Sequence, residues 1–234
     1  MKKIIALMLV LCMAFAMVAC GGEKFDPSAK SEGVMTYAQY DAAALETEVT
    51  IEGYVQATQS WYKDAIKIYL QDPDGGYFVY DVACTEADAA KLEKGTKIQV
   101  KGVKSAWEGE VEVVDGTFTF VESEKWVAEA TDVTSLLANE TELIKHQNKF
   151  VSFKGLTIDS VEYKNGEPGD DIYVNVSKDG ATYSFCVEVY LTGPDTDVYK
   201  AFADLKAGDV VDMEGFLYWY KGVNTHITAV SKAG

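Results

Sequence analysis

Hydrophobic and polar positions alternate along two long stretches of this chain, and the alternation predicts β-strands. In residues 49–55, Val, Ile, Gly and Val fall on one face, whereas Thr, Glu and Tyr fall on the other. Residues 66–70 alternate in the same way and are followed by the turn sequence Asp-Pro-Asp-Gly-Gly at 72–76. With residues 77–82 as the return strand, this pattern predicts a β-hairpin.

The first stretch continues with one helix and two more strands. Thr85 is a favourable N-cap, and the residues after it favour a helix over 85–92. Gly95 ends that helical segment, and strands are predicted over 97–103 and 110–121. A second stretch repeats this order. Its predicted elements are a strand at 150–158, a hairpin of 172–176 and 183–189, a helix at 196–205, and strands at 210–217 and 223–230.

The two stretches share sequence motifs, as expected of an internal repeat. Val-x-Ile-x-Gly at 49–53 matches Val-x-Phe-x-Gly at 151–155, an offset of 102 residues that grows to 113 further along the chain. Leu-x-x-Gly-x-x-Ile-x-Val-x-Gly at 92–102 matches Leu-x-x-Gly-x-x-Val-x-Met-x-Gly at 205–215, which is 113 residues further on. Trp-Glu-Gly at 107–109 lies opposite Tyr-Lys-Gly at 220–222 at the same offset. Two copies of one fold are therefore predicted.

Five strands with a helix between the third and fourth is the order of the OB-fold, a partly open five-stranded Greek-key barrel. The motifs at 92–102 and 205–215 resemble the helix exit, turn and fourth strand of that fold, and the pair resembles the tandem OB-type domains of bacterial surface lipoproteins. We therefore predict a mainly β protein of two tandem five-stranded OB-type Greek-key barrels, each with a short helix between strands 3 and 4. A helical lead-in is predicted before each barrel, at 36–45 and at 132–145.

The N-terminus has the pattern of a secretory signal peptide. Lys2 and Lys3 precede an uncharged apolar run over 4–18, which is short for a transmembrane helix. The sequence Met-Val-Ala-Cys at 17–20 resembles the bacterial lipobox, in which the cysteine is acylated and becomes the mature N-terminus. The resemblance implies cleavage before Cys20, lipidation of Cys20, and an extracytoplasmic protein anchored to a bacterial membrane.

These features divide the chain into four predicted segments. Residues 1–19 are the lipoprotein signal peptide, and residues 20–33 are a lipidated tether whose polar composition predicts flexibility. OB-type domain 1 covers residues 34–128. A connector helix with OB-type domain 2 covers residues 129–234.

The chain is strongly acidic. Its formal net charge is −16, from 21 basic and 37 acidic residues, and the basic residues are all lysine. Nucleic-acid-binding proteins neutralise phosphates with Lys and Arg, and Arg makes the commonest specific contact to bases. We therefore expect nucleic acid to be a disfavoured partner, although it is the best-known ligand of OB-folds.

Motifs for catalysis, cofactor binding or metal binding are not found in the sequence. No motif places His146 or His226 beside a nucleophile, so we expect neither an enzyme nor a cofactor. Asp-x-Asp-Gly at 72–75 resembles the start of a calcium loop but lacks its later ligands, so a hairpin turn is preferred and no metal site is predicted. Cys84 and Cys186 are expected to be separate buried thiols, with an interdomain disulfide as the alternative.

Aromatic residues are the most informative candidates for a ligand site, because OB-folds receive ligands on the face of strands 2 and 3 and on adjacent loops. Aromatic rings stack on bases or on the apolar faces of sugars, but they also pack within sheets and between domains. The candidate ligand-binding residues are Trp61, Tyr62, Tyr69, Tyr77, Tyr80, Trp107, Tyr173, Tyr183, Tyr218, Trp219 and Tyr220.

The favoured function is a non-enzymatic binding module at a membrane surface, with a protein or a glycan of the cell envelope as its ligand. The alternative is a structural or accessory subunit of a cell-envelope assembly, in which the aromatic faces bury one another or a partner. A second alternative is single-stranded nucleic-acid binding, which the net charge and the lack of arginine disfavour. Solvent exposure of the candidate rings distinguishes the first two.

Overall fold

The protein is mainly β, and the computed structural model describes residues 25–233. The strands are β1 (Thr47–Thr58), β2 (Ala65–Gln71), β3 (Gly76–Ala83), β4 (Lys97–Trp107), β5 (Glu110–Phe120), β6 (Thr131–Asp132), β7 (Phe150–Tyr163), β8 (Ile172–Lys178), β9 (Ala181–Val187), β10 (Val210–Phe216) and β11 (His226–Lys232). The helices are α1 (Tyr37–Ala42), α2 (Glu86–Ala89), α3 (Glu140–Leu143), α4 (Val189–Thr192) and α5 (Asp197–Ala203), with 3₁₀ turns at Thr134–Leu136 and Ile144–His146.

The first five strands form a closed barrel (barrel 1) in the order β1-β2-β3-β5-β4. β1 pairs antiparallel with both β2 and β4, and β3 pairs in parallel with β5, which closes the ring. α2 lies between β3 and β4. Because this is the strand order of the OB-fold, the prediction of a mainly β chain with an OB-type barrel is confirmed.

The later strands form a six-stranded sheet (the second sheet) in the order β10-β11-β9-β8-β7-β6. β7 pairs with both β8 and β10, and β9 meets β11 in parallel through the single pair Cys186 and His226. α4 and α5 lie between β9 and β10. Each pair of hydrogen-bonded strands in barrel 1 therefore has a counterpart among β7 to β11, as expected of an internal repeat.

The last glycine of each repeated motif lies where the fourth and fifth strands of its copy approach closely. A Cβ on Gly102 would lie 2.7 Å from Val113 Cγ1 and 2.7 Å from the Val114 carbonyl oxygen. A Cβ on Gly215 would overlap the His226 carbonyl oxygen. The strand register also shifts beside both glycines. Glycine is thus required at these positions because a side chain has no room between the strands.

α1, α2 and α5 each lie within a helix that the sequence predicts. The residues before them are Thr36, Thr85 and Thr196, whose side-chain oxygens each accept a hydrogen bond from the backbone N–H three residues later. Such N-caps satisfy one of the backbone donors that a helix start leaves unpaired. Local sequence therefore sets where these short helices begin.

The connector between barrel 1 and the second sheet is not the single helix predicted for it. Thr131 and Asp132 form β6 beside β7, and short helical turns follow. Asp132 Oδ1 accepts hydrogen bonds from the backbone N–H and the hydroxyl of Thr134, and the Asn139 side chain caps α3. These bonds from side chains to nearby backbone favour turns over a continuous helix, which is why the prediction is wrong.

The part of the predicted tether that the structure describes, residues 25–33, contacts barrel 1. Lys97 Nζ donates to the Ala29 carbonyl oxygen over 2.7 Å. Lys30 forms an ion pair with the buried Asp72 carboxylate in the β2–β3 hairpin. These contacts hold the segment before β1 on the surface of the barrel.

The predictions of a signal peptide and of lipidation at Cys20 fall on residues outside 25–233 and stay predictions. Between those limits, no helix has both the length and the apolar character needed to cross a bilayer.

Candidate functional site: the interdomain cleft

An aromatic cluster joins barrel 1 to the second sheet. Tyr69 of β2 stacks on Phe216 of β10 with 4.5 Å between ring centroids, and Phe78 of β3 meets Tyr218 edge-on at 5.4 Å. All four side chains are buried. Tyr69 and Phe78 alternate with residues of the barrel core, so they lie on its outer face. The second sheet therefore covers part of the face that receives ligands in OB-folds.

A chain of three hydrogen-bonded side chains runs through this cluster. Gln59 Nε2 donates to the Tyr69 hydroxyl oxygen over 3.1 Å, and that hydroxyl lies 2.6 Å from His226 Nδ1. Burial lowers the pKa of His226 to about 3, so the imidazole is neutral near pH 7. The Tyr69 hydroxyl can therefore donate to Nδ1, and the bond links β2 to β11.

The loops that join the fourth and fifth strands meet at the rim of the contact. Trp107 stacks on Tyr220 with 5.1 Å between ring centroids, and the Lys221 N–H donates to the Glu108 carbonyl oxygen over 2.8 Å. Trp107 is 53% exposed and Tyr220 is 42% exposed, so the pair is open to solvent. Since the two residues occupy equivalent positions of the repeat, each half of the chain contributes one ring.

Glu110 is a buried carboxyl group beneath these loops. Its Oε2 accepts hydrogen bonds from the Trp219 backbone N–H over 2.8 Å and from Gln147 Nε2 over 3.2 Å. Its Oε1 has no hydrogen-bond partner within residues 25–233. Burial raises the pKa of Glu110 well above its usual value, because water no longer stabilises the charged form. Glu110 therefore connects β5 to the connector and to the loop before β11.

Beside the aromatic cluster lies an open cleft of about 540 Å³, the interdomain cleft. Barrel 1 and the second sheet both contribute to its walls, and its volume is within the range of ligand pockets. Its aromatic lining residues are Phe78, Tyr80, Trp107, Tyr173, Tyr190, Tyr218 and Tyr220.

The lysines that line the interdomain cleft are paired with carboxylates of the protein. Lys67 Nζ lies 2.8 Å from Asp81 Oδ1, and Lys164 Nζ lies 2.9 Å from Asp171 Oδ2. Neutral hydrogen-bonding groups such as the Asn224 amide complete the lining. A ligand in this cleft therefore meets aromatic rings, neutral polar groups and ion pairs rather than a concentrated charge of one sign.

Glu188 is a group of the cleft that titrates near neutral pH. It is the N-cap of α4, and its Oε2 accepts a hydrogen bond from the Leu191 N–H over 2.8 Å. Burial, and then the neighbouring charge of Asp171, raises the pKa of Glu188 to about 7. The nearby Cys186 stays a thiol, because burial raises its pKa as well.

Replacing Glu188 with glutamine is expected to flatten the pH dependence of stability between about pH 5 and pH 8. A carboxyl group whose pKa is raised on folding contributes its full stability below its unfolded pKa of 4.5, and this contribution is lost as the pH rises through about 7. At pH 8 the variant should therefore be more stable than the native protein by about 1 kcal/mol, allowing for partial exposure. Urea unfolding at both pH values tests this, and identical pH dependence in the two proteins would contradict it.

The structure brings together some of the predicted site residues and separates the others. Five line the interdomain cleft: Tyr80, Trp107, Tyr173, Tyr218 and Tyr220. Tyr69 and Trp219 are buried in the contacts between barrel 1 and the second sheet. These two rings stabilise the arrangement of the cleft and are not accessible to a ligand.

Four predicted residues lie away from the cleft. Tyr77 alternates with Phe78 and points into the core of barrel 1. Trp61 packs against that core, and its indole N–H donates to the carbonyl oxygen of Cys84 over 2.7 Å. Tyr183 packs against the core of the second sheet. Tyr62 is 64% exposed but belongs to a separate surface hollow.

The cleft also contains three residues that were not predicted from the sequence: Phe78, Tyr190 and Glu188. Phe78 shares the outer face of β3 with Tyr80, so the period-two pattern of that strand contains the signal for it. Tyr190 and Glu188 follow β9 at the start of a short helix, where no periodic pattern marks them. Their position in the cleft depends on how the chain turns after β9.

Other candidate groups have structural explanations. Asp72 Oδ1 accepts hydrogen bonds from the backbone N–H groups of Asp74 and Gly75, so the Asp-x-Asp-Gly sequence forms the predicted hairpin turn. Cys84 and Cys186 are buried thiols with no disulfide between them. Among the side chains of residues 25–233, no three of His, Cys, Asp or Glu group together as a metal site would require.

No protein-family model and no curated protein matches this chain. Solved structures match it at low identity. A murine DNA-binding protein bound with double-stranded DNA is 14% identical, covering 79% of this chain and 96% of that chain with a TM-score of 0.39. The p204 HINb domain is 13% identical over 80% and 98%, with a TM-score of 0.36. A replication protein A heterotrimer bound to single-stranded DNA is 11% identical over 81% and 51%, with a TM-score of 0.32.

These matches contradict the expectation that nucleic acid is a disfavoured partner. They include proteins bound to double-stranded and to single-stranded DNA. The TM-scores are too low to assign a ligand to this chain, so nucleic acid is a class to be tested. The fold and the cleft themselves define a mainly β protein with an OB-type barrel, in which the outer face of strands 2 and 3 forms part of an interdomain cleft.

Proposed function

We propose that this protein is a non-enzymatic binding module in which two OB-type barrels share one ligand cleft. We infer that β7 to β11 form the second barrel, because β10 pairs with β7 as well as with β11. The interdomain cleft is then lined by strand 3 of the first barrel, through Tyr80 of β3, and by strand 2 of the second barrel, through Tyr173 of β8. The module is anchored to a bacterial membrane by lipid on Cys20 and faces the extracytoplasmic side.

A glycan is the ligand class that the cleft supports best. The observation that carries this proposal is the solvent-exposed stacked pair of Trp107 and Tyr220 at the rim. Aromatic rings pack against the apolar C–H faces of sugars, and the amides of Gln59 and Asn224 can donate to and accept from hydroxyl groups. Because the cleft lysines are already paired with carboxylates, an uncharged and hydroxyl-rich chain fits better than a small anion.

Replacing Trp107 with alanine is expected to weaken glycan binding by about 5- to 150-fold. Stacking on an aromatic side chain contributes about 1–3 kcal/mol when measured for bases, and the loss of one such contact corresponds to that change. The full chain is first screened on a glycan array, and the affinity for the strongest hit is then measured by calorimetry. Tyr62→Ala is the matched control, since it removes an exposed ring outside the cleft.

Equal loss of affinity in the Trp107 and Tyr62 variants would show that the cleft is not the glycan site. If no glycan binds and an envelope protein instead co-purifies with the full chain, the alternative of a structural or accessory envelope subunit replaces the glycan proposal. The burial of Tyr69 and Trp219 between the two halves is compatible with either outcome.

Single-stranded nucleic acid is the second candidate, and the strand order of barrel 1 favours it. OB barrels bind single strands by stacking bases on rings beside a positively charged groove. Trp107 supplies such a ring, and Lys221 lies over the Tyr220 ring. Lys67 and Lys164 also line the cleft, but a nucleic acid phosphate would have to compete with Asp81 and Asp171 for them. Titration with oligothymidylate at about 50 and about 200 mM salt tests this candidate. Salt-sensitive binding that Trp107→Ala removes would support it, and lack of binding at the lower salt would exclude it.

A further inference from the structure

The described part of the predicted tether is fixed to barrel 1 from its first residue onward. The Phe25 ring meets Tyr54 of β1 edge-on with 6.4 Å between ring centroids. Further along the segment, the Ser31 backbone N–H donates to Glu52 Oε2 over 3.1 Å, and Glu52 is fully buried. The ion pair of Lys30 adds a further contact with the barrel. From residue 25 onward, the chain therefore belongs to the surface of barrel 1.

The lipid anchor proposed at Cys20 is close in the chain to this fixed segment. Cys20 and Phe25 are five residues apart, so the chain between them spans at most about 17 Å. Crossing the headgroup layer uses about 6 Å of that span. The length left outside the membrane is shorter than the radius of gyration of a 100-residue domain, which is about 13 Å. The side of barrel 1 that carries Phe25 must therefore face the bilayer.

The surface next to Phe25 has residues that suit a membrane–water interface. Tyr54 packs against Trp126 as well as Phe25, with 5.6 Å between the Tyr54 and Trp126 ring centroids. Phe25 and Trp126 are each partly exposed, and Val127 is 45% exposed. Trp is enriched at the level of the lipid headgroups, because its ring has both apolar and hydrogen-bonding character. Phe25, Trp126 and Val127 are called the anchor-proximal patch.

Charge does not attract this patch to a membrane. Glu122 and Glu124, a few residues before Trp126, are both exposed. The exposed Lys125 is paired with Glu93. A contact with lipid therefore depends on the apolar and aromatic groups of the patch. The short connection to the lipid makes this contact an intramolecular event, for which a weak intrinsic affinity is sufficient.

We propose that the anchor-proximal patch lies in the headgroup layer of the membrane, so that barrel 1 lies on the bilayer and does not project from it. The Trp126 indole occupies the interface, and Phe25 and Val127 contact the lipid beside it. The partner is a phospholipid surface. This contact requires the lipid on Cys20 that the proposed function assigns, but it does not require any ligand in the interdomain cleft.

Quenching of tryptophan fluorescence by brominated phosphatidylcholine tests the contact, because bromine on the acyl chains quenches only rings at the bilayer. The full chain is purified with its lipid and reconstituted in vesicles with and without the brominated lipid. We expect quenching in the native protein and its loss in Trp126→Phe. Trp107→Phe is the matched control, since Trp107 is also exposed but lies at the rim of the interdomain cleft. The control should keep the quenching.

A longer tether tests the role of the short connection. Inserting about ten Gly and Ser residues after Gly22 should reduce the quenching, because a longer tether lowers the effective concentration of the patch at the bilayer. Unchanged quenching in this variant would overturn the inference that the short connection holds barrel 1 on the membrane.

Mass spectrometry of the N-terminal peptide distinguishes failure of this contact from failure of the proposed anchoring. Lipid on Cys20 without quenching of the native protein would overturn the contact and leave the anchoring intact. Quenching that persists in Trp126→Phe would mean that another face of the protein lies on the bilayer, which also overturns the contact. An unmodified Cys20 would overturn both.

Discussion

The variant Glu110→Gln is expected to be more stable than the native protein at pH 8, with a higher free energy of unfolding. Glu110 Oε2 accepts hydrogen bonds from Trp219 and Gln147, whereas Oε1 has no partner among residues 25–233. The two hydrogen bonds at this site therefore do not offset the hydration that a charged carboxylate loses on burial. Glutamine keeps an oxygen for the two donors and adds an N–H.

The sign of the pH dependence follows from the raised pKa of Glu110. A carboxyl group whose pKa is raised on folding contributes its stability fully below its unfolded pKa of 4.5, and the contribution is lost as the pH rises toward and through the folded value. The native protein should thus lose stability between about pH 5 and pH 8 through this group. Glu110→Gln should lack that part of the loss. Urea unfolding at pH 5 and pH 8 measures both effects.

Glu110→Ala serves as the contrasting variant for this prediction. It removes the acceptor of the buried Trp219 N–H, and we expect it to be about 3 kcal/mol less stable than the native protein at pH 5. The difference should be smaller at pH 8, because the variant also lacks the carboxyl group through which the native protein loses stability. If Glu110→Gln were also less stable at pH 8, the site would be one that stabilises a charged carboxylate. The interpretation of Glu110 as a neutral group would then be wrong.

Gly215→Ala is expected to lower the free energy of unfolding by about 3 kcal/mol. The added Cβ would overlap the His226 carbonyl oxygen, which belongs to the backbone of the paired strand β11. A backbone carbonyl cannot move away through a rotamer change as a side chain can, so β10 and β11 would have to separate. The midpoint of urea unfolding measures the change, with the slope checked for constancy.

Two other glycines serve as controls for this prediction. Gly102→Ala, the equivalent change in barrel 1, should cost about 1–3 kcal/mol, because one of its two close contacts is the Val113 side chain, which can move. Gly116→Ala should cost under about 1 kcal/mol, since its nearest contact is a side-chain methyl of Val82 at 3.3 Å. A Gly215 variant as stable as the Gly116 variant would show that the strands separate easily at this point.

Local patterns in the sequence determined most of the secondary structure of this protein. Alternation predicted the strands, Asp72 with Gly75 predicted the β2–β3 turn, and the N-cap Thr85 predicted where α2 begins. The repeated motifs also located equivalent positions, including Trp107 and Tyr220, which meet in the structure. These features can be predicted from the sequence because they depend on residues that are close together in the chain. The prediction of a connector helix was wrong because hydrogen bonds from the Asp132 and Asn139 side chains to nearby backbone favour turns.

Only the tertiary structure decided which outward-facing rings are accessible. Alternation places Tyr69 and Tyr80 on the outer faces of β2 and β3, but it cannot show that Phe216, distant in sequence, covers Tyr69 while Tyr80 stays at the cleft. The same holds for Glu110, whose burial depends on Trp219 and the connector. A strand pattern separates the two faces of one sheet, whereas accessibility and pKa depend on what packs against each face. That packing is set by contacts between residues far apart in the chain.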